Sequence, residues 1–164
     1  MKKQFSDKGT HKTLWTLTKF ENDEAVKAGT PYEVKEIKGN ILVNAGINAL
    51  TTLLAGAGGD AFSNANAYLG VGDSDDVAAA TQTDLQAAVN KVRADMNGGF
   101  PTYGTDQKIT FEADFASGEG NHAWKEFGAF NASSGGTMLN RKVENEGIKT
   151  AGQIWRLTLE ITFS

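Results

Sequence analysis

Acid–base chemistry has few residues to work with in this chain. Cysteine is absent and there are two histidines, His11 and His122, so no thiolate nucleophile or thiolate-held metal exists and an imidazole base has two possible positions. His122 follows Gly118-Glu119-Gly120-Asn121, where Glu119 could orient it; a histidine in a polar turn ahead of a strand is more simply a surface residue. Glu112 and Asp114 fall on the same side of one strand. Paired carboxylates do glycosidase chemistry when an apolar pocket raises one pKa, and the alternation here turns this pair toward solvent. Asp73-Ser74-Asp75-Asp76 opens like a calcium loop, since hard cations want several carboxylate oxygens close together. The glycine at the sixth position and the glutamate at the twelfth are missing, so a solvated turn is expected and cation binding by Asp73 to Asp76 is left open. Ala55-Gly56-Ala57-Gly58-Gly59 lacks the Lys-Ser/Thr pair of a phosphate loop and follows a helix instead of opening one. Asn131-Ala132-Ser133 fits a glycosylation acceptor by chance. The expectation is a protein that is not an enzyme, with no cofactor and no metal.

The chain that must position these residues has 164 residues and 17.5 kDa, enough for one domain with a real core. Apolar residues make up 40% and charged residues 22%, which is globular usage. A formal net charge of −4 opposes binding along a phosphate backbone, so nucleic acid is not expected as a partner. No stretch approaches the roughly 20 apolar residues of a membrane span, so no membrane partner is expected. Met1 to Asp7 starts basic but lacks the apolar run of a signal peptide, which reads as a soluble protein without an export signal. One local exception to the acidic balance is a basic arm: Lys2, Lys3, Lys8, Lys12 and Lys19, with Trp15 among them, face only Asp7. Such an arm suits an acidic partner surface.

Residues 1–39 therefore read as an N-terminal arm or hairpin, and 40–164 as a single β-rich domain. Within the first part, 13–20 is rich in β-branched and aromatic residues, and 32–37 resumes an apolar pattern after the Gly29-Thr30-Pro31 turn. From Asn44, Ile47, Leu50 and Leu54 recur at helical spacing with Leu53 beside them, predicting a helix over 44–55 capped by Asn44 and ended by Gly56. Tyr68-Leu69-Gly70-Val71-Gly72 predicts a strand whose glycines admit a close neighbour. Residues 83–89 predict a short second helix. Ile109, Phe111, Ala113 and Phe115 alternate with polar residues, as do Trp155, Leu157, Leu159, Ile161 and Phe163, predicting two half-buried strands, the last inside a sheet. Strands at 123–130 and 137–143 flank Asn131-Ala132-Ser133-Ser134-Gly135-Gly136, which predicts a hairpin loop. Trp124, Phe127 and Phe130 are expected in a core, with a sugar platform as the alternative.

The segments NILVNAGINALTTLLAG, NANAYLGVGDSDDVAAATQTDLQAA, ITFEADFASGEGNHAWKEFGAFNA and GGTMLNRKV together resemble small bacteriophage virion proteins of the head-decoration and tail-associated kind. The resemblance spans roughly residues 40–164 and supplies no catalytic residues. It implies compact β modules, and with the patterning above the expectation is a mainly β fold, an antiparallel β-sandwich or barrel with one or two short helices, preceded by an extended N-terminal arm that falls outside the resemblance. It also implies homo-oligomers, often trimers, that bind the major capsid protein or tail subunits in a virion assembled in the host cytoplasm. Under this resemblance the first expected function is capsid decoration, with a tail, baseplate or fibre role as the alternative; apart from the resemblance, the aromatic residues leave a carbohydrate-binding module as a third. Lys2, Lys3, Lys8, Lys12, Lys19, Trp15, Arg141 and Lys142 are the expected partner contacts, the last two reaching carboxylates across an interface.

Overall fold

A computed structural model describes residues 10–164. Two five-stranded antiparallel sheets pack face to face as a sandwich, without closing into a barrel. The elements are β1 His11–Phe20, α1 Asp23–Ala28, β2 Glu33–Lys38, β3 Ile41–Leu42, α2 Asn44–Leu54, β4 Tyr68–Gly72, β5 Lys91–Asp95, β6 Thr102–Thr105, β7 Lys108–Phe115, β8 Glu126–Phe130, β9 Met138–Val143 and β10 Ile154–Phe163. One sheet runs β2-β1-β10-β7-β6 and the other β3-β9-β8-β4-β5.

The strands with period-2 alternation sit at the middle of the first sheet. β10 pairs β1 on one side and β7 on the other, so its apolar set, Trp155, Leu157, Leu159 and Ile161, is buried. Phe111, Ala113 and Phe115 of β7 lie on the same inner face. The second sheet answers with Leu69, Val71, Phe127, Ala129 and Leu139 in one continuous core. Trp124 sits near its centre, with edge-on ring contacts to Phe115 at 4.7 Å and Trp155 at 4.9 Å between centroids, a geometry aromatic quadrupoles favour. The predicted hairpin is present: β8 pairs β9, and Gly135 and Gly136 have φ of 59° and 63°, which the turn requires.

Four expectations need correction. Of the two readings of residues 1–39, the part from His11 on is the hairpin: β1 and β2 pair antiparallel and β1 is interior to the sheet, because Trp15 and Leu17 supply inward apolar residues on the pleat. No helix forms at 83–89; that segment runs without regular structure. The second helix is α1, where Asn22 Oδ1 accepts from Ala25 N–H at 2.9 Å, Asp23 and Glu24 occupy the first turn, and Gly29 closes the last turn at φ 65°. These are start and stop signals without an apolar stripe, and α1 buries no residue.

The main helix begins where expected but without its expected cap. Asn44 directs its N–H to Ala80 O at 2.8 Å, and the cap position is Val43, which makes no side-chain bond. Its docking face is also rotated. Gly46 is the buried residue of α2, and a Cβ there would meet the Leu139 backbone, Cα at 2.7 Å and C at 2.8 Å. The contact stripe therefore runs Gly46, Ala49, Leu50, Leu53, the last three packing on the core, while Ile47 and Leu54 face solvent.

Candidate functional site

Among the described residues the expected partner contacts do not form one surface. Lys2, Lys3 and Lys8 lie outside the described residues. Lys12 is exposed on β1. Trp15 is fully buried in the core, 5.9 Å from the Phe127 ring, so it offers nothing to a partner. Lys19 is buried too: its Nζ reaches Glu33 at 2.8 Å and Glu146 O at 3.0 Å and lies 4.4 Å from the Trp155 ring centroid. Lys142 donates to Lys38 O at 3.0 Å, tying the two sheets together.

Arg141 is the largest departure, because it is completely buried on the outer side of β8 and β9. Its Nε donates to Glu126 Oε2 at 2.8 Å, and Nη2 lies 2.7 Å from the same oxygen without hydrogen-bond alignment. Nη1 donates to Asp76 O at 2.8 Å and Gln82 Oε1 at 3.1 Å. The Glu126 carboxylate, equally buried, accepts from Gln86 N–H at 2.9 Å and Ala87 N–H at 2.8 Å. One ion pair thus pins the irregular 76–87 segment across the sheet. The glycines of β4 give it room: a Cβ on Gly72 would strike Glu126 Oε1, and one on Gly70 would come within 2.8 Å of the Phe130 ring. The alternating glycines had signalled a close neighbour; the identity of that neighbour was not readable locally.

The residues singled out for chemistry have structural partners. Asp73 accepts from Asn90 Nδ2 at 2.7 Å, Ser74 Oγ accepts from Asp76 N–H at 3.2 Å, and Asp75 is 3.4 Å from Lys125 Nζ. Among the described residues no group of three or more His, Asp or Glu side chains is placed to hold a metal ion. Glu119 accepts from Ala116 N–H at 3.0 Å and His122 Nδ1 lies 2.9 Å from Ala123 O, while His122 Nε2 is buried without a partner, so the expected base is not oriented by that carboxylate. Asp114 receives Arg156 Nε at 2.6 Å and Nη2 at 2.8 Å, with Asn97 Nδ2 at 3.0 Å. Burial alone would push its carboxyl up, but these hydrogen bonds and the guanidinium charge outweigh it and hold the group below its ordinary value. That is opposite to what a catalytic acid needs.

Sequence reasoning missed two cations tied into the fold, one buried and one partly buried. Lys149 is 1% exposed and donates to Ala116 O at 2.7 Å and Asn121 Oδ1 at 3.0 Å. Burial pulls its pKa below that of an ordinary lysine, and the Glu119 charge offsets part of that. Arg93 stacks 3.5 Å above the Phe130 ring and donates to Ala132 O at 2.8 Å, Gly135 O at 2.9 Å and Asp84 Oδ1 at 2.9 Å. The serine-rich loop after β8 is therefore a bend anchored by an arginine, with Asn131 bridging Asp60 O and Thr137 N–H at its base.

What the surface offers instead is apolar. Leu54, Val77, Val89 and Tyr103 are 89%, 85%, 84% and 77% exposed. A groove of about 270 Å³, lined by Leu50, Phe62, Ile109, Phe111, Ile161 and Phe163 among others, opens between the sheets beside β6. All three tryptophans, with Phe127 and Phe130, are interior, so the aromatic set proposed as a sugar platform is core. No helix among the described residues is long and apolar enough to cross a membrane. No protein-family model, no curated protein and no solved structure matches this chain.

Proposed function

We propose that this chain is a non-enzymatic structural protein of a bacteriophage virion, a capsid decoration protein that binds the major capsid lattice as a homo-oligomer and stabilises the head. The phage assignment rests on the resemblance of residues 40–164 described above. The structural observation that carries the adhesive role is the division of labour between side chains. The ionisable groups Asp73, Glu112, Asp114 and Glu119 are engaged within the fold, while large apolar side chains project from a framework held by a buried ion pair. A rigid body with uncovered apolar residues suits association with other subunits.

Many copies, each adding a modest binding energy to the assembled lattice and none to the free subunits, shift assembly by mass action. The test is position: a tagged copy seen by negative stain on the head of an intact particle supports the proposal. Location on the tail would move the role to the tail or baseplate, and absence from purified particles would overturn it.

A further inference from the structure

Among the described residues, Lys149 is a buried amine that no carboxylate meets directly. Lys19, Lys91 and Lys108 each lie within 2.9 Å of an acidic side chain, whereas both acceptors at Lys149 Nζ, Ala116 O and Asn121 Oδ1, are neutral. A buried ammonium held only by neutral groups is costly, and a desolvated lysine relieves that cost by giving up its proton, which makes it a nucleophile. The turn after β7 supplies what such an amine could attack. Lys149 N–H donates to His122 O at 3.1 Å and Trp124 N–H to Gly147 O at 2.8 Å, fixing the approach to β10 against that turn. Asn121 Nδ2 donates to Ser117 O at 2.9 Å, so the amide is held with its carbonyl toward the amine, and Asn121 itself is exposed. Glu119 accepts from the N–H of Ala116, the residue whose carbonyl receives Lys149, and its charge acts on the amine.

We propose that the folded chain joins Lys149 to Asn121 through an isopeptide bond. The neutral Nζ attacks Cγ of Asn121: the Nζ–Cγ bond forms, the Cγ–Nδ2 bond breaks, and one amine proton passes by way of Glu119 to Nδ2, which leaves as ammonia. One amide is exchanged for another, so atoms and electrons balance with no oxidant, reductant or co-reactant. Nζ stands 3.0 Å from Oδ1, and the carbonyl bond adds ~1.2 Å, so Cγ lies within about 4.2 Å. A shift of about 1 Å at the flexible end of the lysine brings it to the separation of a reacting pair. Burial favours the neutral amine, while the exposure of Asn121 lets the ammonia escape. The product amide removes the buried charge. It ties the turn after β7 to the segment before β10, at the end where Phe115 and Trp155 are matched. The reaction happens once per chain, so the protein remains a structural one.

Intact-mass spectrometry of the purified full chain tests the proposal without any particle, so its failure would leave the virion reading standing. The expected mass is that of the sequence less one ammonia. Trypsin does not cut after an acylated lysine, so digestion should give a branched peptide joining residues 109–125 to 143–156. That peptide from the native chain decides the matter even where a variant fails to fold. Lys149→Arg and Asn121→Ala keep the full mass of their sequences. Glu119→Gln forms the bond at least about a hundredfold more slowly after a pulse of synthesis, as loss of a general base does. A native chain at its full sequence mass would overturn the proposal. So would a mass deficit without the branched peptide, as from a succinimide at Asn121, or a deficit that survives Lys149→Arg. An unchanged rate in Glu119→Gln would overturn the part assigned to Glu119.

Discussion

Replacing Arg141 by methionine tests the buried pair that holds the 76–87 segment. Arg141 and Glu126 have no side-chain exposure. The substitution strands a carboxylate inside the fold and removes donors from Asp76 O and Gln82 Oε1. Breaking a buried ion pair by deleting one member costs ~3–5 kcal/mol, a large share of the ~5–15 kcal/mol that stabilises a domain. Glu126→Met alone should cost a similar amount, because Gln86 and Ala87 lose their acceptor. The double substitution leaves no unpaired charge, so its cost should fall short of the sum of the singles by roughly 1–3 kcal/mol. Urea denaturation of the four proteins, read at the midpoint with the slope checked for constancy, gives these differences. Limited proteolysis should cut between residues 76 and 87 in either single variant under conditions that leave the native chain intact. An Arg141→Met loss under ~1 kcal/mol, or single costs that simply add, would refute the claim that the pair is desolvated and coupled. An unchanged midpoint together with lost particle binding would return Arg141 to an interface.

Acid should expose the Asp114 pair. A carboxyl held below its ordinary value in the fold contributes stability that is complete above the unfolded value of about 4 and is lost as pH falls through the depressed folded value. Asp114→Asn should therefore lower the melting temperature at neutral pH and flatten its fall in acid, and equal acid slopes for both proteins would contradict this. Removing residues 1–20 should abolish cooperative melting, because it deletes the strand between β2 and β10 together with the buried Trp15, Leu17 and Phe20. A truncated chain that gives a native near-ultraviolet circular dichroism spectrum would refute that placement.

Strand positions were readable wherever burial followed the pleat. β7 and β10 alternate because one side faces the core and the other faces solvent or the half-buried Arg156–Asp114 pair. The loop after β8 was readable because small polar residues and two glycines leave few alternatives. β8 and β9 hid their surroundings, since both faces of β8 are covered and a charged residue on β9 looks exposed until its carboxylate partner is known. Lys19 misled for the same reason: its position on the pleat turns it inward, where Glu33 and Glu146 O, far apart in sequence, receive it. The helix expected at 83–89 failed through long-range competition. Glu126 takes the Gln86 and Ala87 amides, which a helix would have left to its own carbonyls or to water. Nothing in a local window carries that information.

The place of β10 has a consequence for the order of assembly. His11 is matched with Phe163, so the first strand finds its inner neighbour only after every other strand of the fold has been synthesised. Every strand of the other sheet lies between Ile41 and Val143. On the ribosome the β3-β9-β8-β4-β5 sheet can pair while β1 and β2 wait as a two-stranded ribbon with an uncovered apolar side. Pairings so distant in sequence slow folding and prolong that exposure. The nascent chain thus keeps that apolar side uncovered until β10 is released.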